Sequence, residues 1–175
     1  MTGCCPPRAA YQAPAGTRRT MVVEVLAIDR TTCTRCVGTD EAVDRAIAQA
    51  APALAAMGIA VEVRHLLVDS EDMAARLRLV SSPTIRIDGA DIQPQVSESV
   101  CAPCSDLTTA GQVDCRVWIW QGEEFTSPPE GLVVEALMRA ALSPAPEKDE
   151  RPFTLPANLR AFFSQKKRPG AGCCG

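Results

Sequence analysis

No run of about 20 apolar residues, the length that spans a bilayer, occurs in this 175-residue sequence. The longest Ala-rich apolar stretch, 46–61, is interrupted by Gln49, Pro52 and Gly58, which excludes a transmembrane helix of ordinary composition. A large basic block is also missing. The 18 Lys and Arg are outnumbered by 21 Asp and Glu, for a net charge of -3 and a pI near 5.2. The electrostatic footprint of a duplex nucleic-acid binder is therefore lacking, and neither nucleic acid nor membrane is expected as a partner. Histidine occurs once. His65 falls among Val63, Leu66 and Leu67, the setting of a packed or surface histidine, so no Ser/His/Asp hydrolytic arrangement can be built around it. The first twenty residues lack the apolar core of a secretory signal, and no nucleotide-binding P-loop is found. A reducing cytoplasm is the expected location.

Cysteine, in contrast, is abundant, with nine in 175 residues. They stand at 4, 5, 33, 36, 101, 104, 115, 173 and 174, as two adjacent pairs near the ends, two Cys-x-x-Cys pairs and one single thiol. An odd number cannot pair completely within one chain. In a reducing compartment, Cys-x-x-Cys more often carries redox or metal chemistry than a structural clip. The final Gly-Cys-Cys-Gly is not a prenylation box, because cysteine is not fourth from the end.

Residues 1–19 combine Cys4, Cys5, prolines and arginines with nothing to pack and predict a flexible arm. Residues 20–142 predict one α/β domain. The β-branched run Met21–Ile28 is a strand. From Thr39 onward, Val43, Ile47, Ala50, Leu54 and Met57 recur at helical spacing, with a kink at Pro52 and a stop at Gly58. Residues 59–68 give a second strand, parallel to the first across the helical crossover, and Ser70 opens a short helix through Leu79. Thr84–Gly89 is a third strand ending in an Asp-Gly turn. After an insert at 90–112, Cys115–Trp120 is a fourth strand, antiparallel to the third. A helix follows at 129–142, a proline-rich linker at 143–157, and a short helix with a Cys-Cys tail at 158–175. Asn158 should cap that helix, with Leu159, Phe162 and Phe163 docking on the domain.

The first thiol pair, Cys33-Thr34-Arg35-Cys36, lies between a buried strand and a helix start, where free amide N–H groups stabilise a thiolate. A helix terminus contributes about 0.3 to 2 kcal/mol to a nearby charge, and Arg35 acts in the same direction. Cys33, at the exposed end, would then attack and Cys36 resolve the intramolecular disulfide. Metal capture by the same thiols, or an incidental helix-start turn, are the alternatives.

With Val80-Ser81-Ser82-Pro83-Thr84 before the third strand, the order of elements resembles the thioredoxin superfamily. The resemblance implies a mixed four-stranded sheet flanked by helices, a cis proline at Pro83 facing the thiol pair, and a substrate groove bordered by Ser82, Pro83 and Thr84. Thr34-Arg35 stands where that family usually has Gly-Pro or Pro-Tyr. The Ile28-Asp29 stretch, Ser82–Gly89 and Cys115-Arg116-Val117 are also similar to a group of small bacterial thioredoxin-like proteins of unknown function, some associated with mercury or arsenic resistance.

Cys101, Cys104 and Cys115 supply three of the four thiolates of a zinc site, and the fourth ligand is not evident from the sequence. The third strand should run away from Cys33, which would put the insert roughly 15 to 20 Å off at about 3.3 Å per residue. Two separate thiol sites are therefore expected, with a metal or disulfide clip, an electron relay to Cys33 and Cys36, or no task as readings of the second. Cys4, Cys5, Cys173 and Cys174 suit soft ions better than strained vicinal disulfides, with exposed thiols that have no task as the alternative. The expected activity is thiol-disulfide exchange with protein or small-molecule partners, requiring no cofactor. A non-enzymatic binder of zinc, mercury or arsenite, or a zinc-stapled interaction module, stands against it.

Overall fold

The computed structural model describes residues 19–143 and 151–166. Strand β1 (Arg19–Ala27) leads through a short turn into helix α1 (Thr34–Ala56), which returns the chain to β2 (Ile59–Leu67). Helix α2 (Glu71–Arg76), strand β3 (Thr84–Ile87) and the two-residue strand β4 (Ala90–Asp91) follow. The insert then forms β5 (Ser97–Val100) and α3 (Ala102–Asp106) before β6 (Asp114–Trp120). Strand β7 (Glu123–Phe125), α4 (Glu130–Leu142) and α5 (Ala157–Ser164) complete the described chain.

The main sheet is mixed and four-stranded, in the order β2-β1-β3-β4. β1 is parallel to β2 and antiparallel to β3, with Val23 opposite Val63 on one side and Ile87 on the other. Alternation in β1 sends Met21, Val23 and Val25 to a fully buried face. Against it packs the α1 stripe Val43, Ala46, Ala50 and Leu54, joined by Leu132, Val133, Ala136 and Leu137 of α4. These positions recur three or four residues apart, the period that lines one face of a helix.

Three sequence expectations change. Helix α1 begins at Thr34, not Thr39, so the first Cys-x-x-Cys lies within the helix start, and it runs on through Pro52 to end before Gly58, whose φ is +75°. The fourth strand of the main sheet is β4, not Cys115–Trp120. Asp88 and Gly89, with φ of 52° and 88°, form the two-residue turn that folds β4 directly back on β3. The Cys115–Trp120 segment instead centres a second sheet, β5-β6-β7, both of whose pairings are antiparallel. Finally, α5 starts after Pro156 rather than Asn158, whose side-chain amide donates to Glu98 at 3.0 Å. Leu159 and Phe162 dock as expected and are buried, whereas Phe163 is partly exposed. Residues 1–18, 144–150 and 167–175, with the expected thiols Cys4, Cys5, Cys173 and Cys174, lie outside the described residues.

Candidate metal centre

Cys33 occupies the position immediately before α1, in extended conformation at φ -74° and ψ 107°. The turn that delivers it is organised by Asp29. One carboxylate oxygen accepts N–H bonds from Thr31, Thr32 and Cys33 at 3.1, 2.7 and 2.7 Å. Partial burial opposes ionisation of Asp29, but the N–H bonds from Cys33, Thr32 and Thr31 outweigh it and hold the carboxyl below its ordinary range. The Ile28-Asp29 motif does not by itself show this task. An Asp four residues before a Cys at a helix start is the signal that marks it.

The insert does not stay at the far end of β3. β6 begins beside Ser82, where the Arg116 N–H donates to the Ser82 carbonyl at 2.9 Å. Its register with β5 sets Ser99 opposite Cys115, and the chain then turns into α3 with Cys101 in the position before that helix. Arg35 fixes this return. Its guanidinium donates to the carbonyls of Ser99 and Cys115 at 3.1 and 3.0 Å and of Val100 at 2.6 Å, so the residue expected to acidify Cys33 also straps the insert to the start of α1.

The result corrects the expectation of two separate thiol sites. The sulfurs of Cys33, Cys101, Cys104 and Cys115 all lie within 4.8 Å of one another, and all four residues are buried. Cys33, the fourth thiol of the group, is fully buried rather than exposed. It shares one packed cluster with Leu26, Ile28 and Leu79 of the domain, and with Leu155, Leu159 and Phe162 of the C-terminal segment. Cys36 is fully buried in the same cluster. The five described cysteines are free thiols.

Crowding divides the charge unequally. Hydrogen bonds from Cys101, Cys104, Cys115 and Cys36 hold Cys33 well below the usual thiol value. Cys101 is lowered to about 7 by bonds from Cys104 and Cys115, against the opposing bond to Cys33. Cys104 is raised by the bonds it gives to Cys101, Cys115 and Cys33, and Cys115 above all by its bond to Cys101. The bond to Cys104 acts to lower Cys36, but the bond to Cys33, burial and the Cys33 charge push it up to about 12. The crowding thus favours the thiolate at Cys33 and, less strongly, at Cys101, and the protonated form at Cys36, Cys104 and Cys115.

The residues expected to border a groove are also inside. Ser82 and Thr84 are buried, as is Pro83, and the Ser82–Pro83 bond is cis. Ser82 Oγ accepts the Ile28 N–H at 3.1 Å and lies 3.8 Å from Cys36 Sγ. Thr84 Oγ1 donates to the Ser81 carbonyl and accepts from Arg116. Arg116 is itself fully buried, bonded to both oxygens of Asp91 and to the Gln93 carbonyl. His65 stands apart from the thiols, its Nδ1 at 2.7 Å from Asp40 and its Nε2 at 3.3 Å from Asp44. No helix is long and apolar enough to cross a membrane among the described residues.

The arrangement suits a thiophilic cation. At a zinc–sulfur distance of about 2.3 Å, a tetrahedron of sulfurs has edges of about 3.8 Å. Cys33 and Cys101 are already 3.7 Å apart, so closing all four sulfurs on an ion takes side-chain adjustment rather than refolding. Comparison with known proteins identifies a family and no ligand. No curated protein and no solved structure matches the chain. Residues 21–137, most of the chain and all five of these cysteines, match the family described as Domain of unknown function (DUF2703), and the protein belongs to that family.

Proposed function

We propose that this protein binds a thiophilic metal ion, zinc(II) in the first instance, through Cys33, Cys101, Cys104 and Cys115. The observation that carries the reading is the mutual approach of four buried sulfurs within 4.8 Å. Thiolates favour soft and borderline ions over hard ones, so mercury(II) and arsenite belong to the same class of ligand. Four sulfurs within 4.8 Å of one another favour zinc over the three-sulfur geometry that arsenite takes. The α1 amides and the Arg35 guanidinium offset part of the negative charge that four thiolates bring to an ion.

Cobalt(II) titration of the reduced protein tests this. The expected result is one ion per chain, with sulfur-to-cobalt charge transfer of the strength given by four thiolates, and displacement by zinc. Replacing Cys104 or Cys115 with serine should lower zinc affinity by at least about tenfold. A cobalt spectrum of oxygen and nitrogen ligands, or no binding, sinks the reading.

A second reading, thiol-disulfide exchange by Cys33 and Cys36, is favoured by the low proton affinity of Cys33 at the start of α1. With Cys33 buried, a disulfide partner reaches it only if the C-terminal segment or the insert moves. Turnover of a small disulfide by the metal-free protein, abolished by Cys36→Ser, would support this reading. A metal-bound protein inert to the same disulfide would place the thiols in ion binding. By resemblance the chain would then be a thioredoxin-like frame whose thiol pair serves a metal.

A further inference from the structure

Among the described residues, one outer strand of the two sheets is far longer than the others. Strands β4, β5 and β7 have two, four and three residues, and outer strands so short offer an incoming chain little to pair with. Strand β2 has nine, all in unbroken register with β1. It contains neither proline nor glycine, and no other strand or backbone segment among the described residues bonds to its outer side. At about 3.3 Å per residue it presents roughly 30 Å of main chain along that edge.

The side chains of β2 are complementary to their own reversal. Turning the strand end for end about Val63 sets Glu62 opposite Arg64, Val61 opposite His65 and Ile59 opposite Leu67. Glu62 and Arg64 lie on one face and are about half exposed, and Arg64 Nε donates to Glu62 Oε1 at 2.8 Å within the strand. A reversed copy brings each Arg64 to the other's Glu62, so no like charges stand directly opposite. On the α1 side, Val61 and Val63 are only partly buried where they pack on the core. The exposed apolar residues Leu67 (48%) and Met57 (43%) lie at the two ends of β2. Reversal carries Leu67 of one copy to Ile59 of the other, two residues from Met57.

We propose that two copies of this chain pair antiparallel along β2, on a two-fold axis at Val63, and join their four-stranded sheets into one of eight strands. The interface is isologous, each copy offering the same strand to the other. Glu62 and Arg64 serve it in two ways: charges on an open edge discourage pairing with an apolar strand, and in this register they attract. Nine residues a side fall short of the roughly 20 to 30 of a standard interface, so dimer and monomer exchange reversibly. The proposal rests on the sheet edge and is independent of ion binding.

Sedimentation equilibrium of the full chain at about 1 to 100 μM, with a thiol reductant present to exclude intermolecular disulfides, tests it. The expected result is a concentration-dependent monomer–dimer equilibrium. Glu62→Arg should weaken association by at least about tenfold, because two positive side chains then face each other at both crossings. Arg64→Glu should do the same through two negative ones. An equimolar mixture of these two variants should associate, since each crossing again joins opposite charges, and Glu62→Arg/Arg64→Glu should recover association to within about threefold. Both positions are exposed, so circular dichroism should show all the variants folded. Association unchanged in Glu62→Arg, or not recovered in the double variant, overturns the proposal. A monomer at about 100 μM also overturns it, and a monomer that dimerises only after removal of residues 1–18 assigns the edge to that segment of the same chain.

Discussion

Cys33 and Cys101 each stand immediately before a helix, α1 and α3, and their sulfurs are 3.7 Å apart. Each begins a Cys-x-x-Cys whose second cysteine, Cys36 or Cys104, is fully buried. The two motifs therefore meet end to end at one site, with Cys115 from β6 beside them. This relationship sets the chemistry expected of the protein.

Zinc binding should expel protons. In the metal-free protein Cys104 and Cys115 are held above the ordinary thiol value and carry protons at neutral pH, Cys101 titrates near 7, and Cys33 is ionised. Four thiolates on the ion thus require release of about two to three protons per zinc at pH 7. Since the bound form has fewer protons, affinity rises with pH and falls on acidification. Calorimetry in buffers of different protonation enthalpy counts the protons directly. A count near zero would mean that the thiols are already ionised or do not bind.

Asp29→Ala should destabilise the fold by about 1 to 3 kcal/mol at neutral pH, the range for removing a charged acceptor and leaving the N–H groups of the turn before α1 without their partner. The Asp29 pKa is lowered in the folded state. Its contribution is therefore present above the unfolded carboxylate value of about 4 and disappears as pH falls through the folded value. Urea midpoints of the two proteins should differ at pH 7 and converge in acid. A difference of the same size at low pH would assign the loss to packing instead of to the carboxylate.

The C-terminal helix offers a separate test. Phe162 is fully buried in the cluster that contains the thiols, and its carbonyl accepts from Thr108 Oγ1. Phe162→Ala should cost about 3 to 5 kcal/mol and speed alkylation of the metal-free core thiols. Equal alkylation rates in a variant confirmed as folded by circular dichroism would show that α5 does not control access.

How much of this was legible beforehand depends on distance along the chain. β1, the α1 stripe and β2 follow from local periodicity, and Leu159 and Phe162 declared the face by which α5 docks. Each thiol motif was visible because its residues lie three apart. Their meeting was not, because the spacing of Cys33 and Cys101 does not tell which way an insert of some twenty residues turns. That direction is set by tertiary bonds: the Arg35 guanidinium on the insert carbonyls of Ser99 and Val100 and on the Cys115 carbonyl of β6, and the Arg116 amide on Ser82. An arginine between two cysteines suggested a charge effect on its neighbour. Its geometric duty requires knowing where β5 and β6 run. The Asp-Gly turn was visible as well, but not that its two-residue return would supply the fourth strand.

The end cysteines can be separated from the core by substitution. Cys33, Cys101, Cys104 and Cys115 alone furnish four sulfurs, so replacing Cys4, Cys5, Cys173 and Cys174 with serine should leave zinc affinity within about threefold, less than the tenfold step that corresponds to about 1.4 kcal/mol. Competition with a chromophoric chelator provides the comparison. A loss of at least about tenfold would make the end thiols part of the binding apparatus, through the raised local ligand concentration that a tethered arm supplies.

The partners Cys33 and Cys101 are 68 residues apart in the chain. An ion bonded to both would be a removable cross-link, and it would close a loop without a disulfide for a reductant to break. By the chain-entropy account, a covalent tie across a loop of this size lowers the freedom of the unfolded chain by about 4 kcal/mol. A metal tie acts likewise only while it holds. Resistance to proteolysis would then follow the supply of free ion by mass action, and a cell that withdrew the ion would be loosening the protein as well as emptying it.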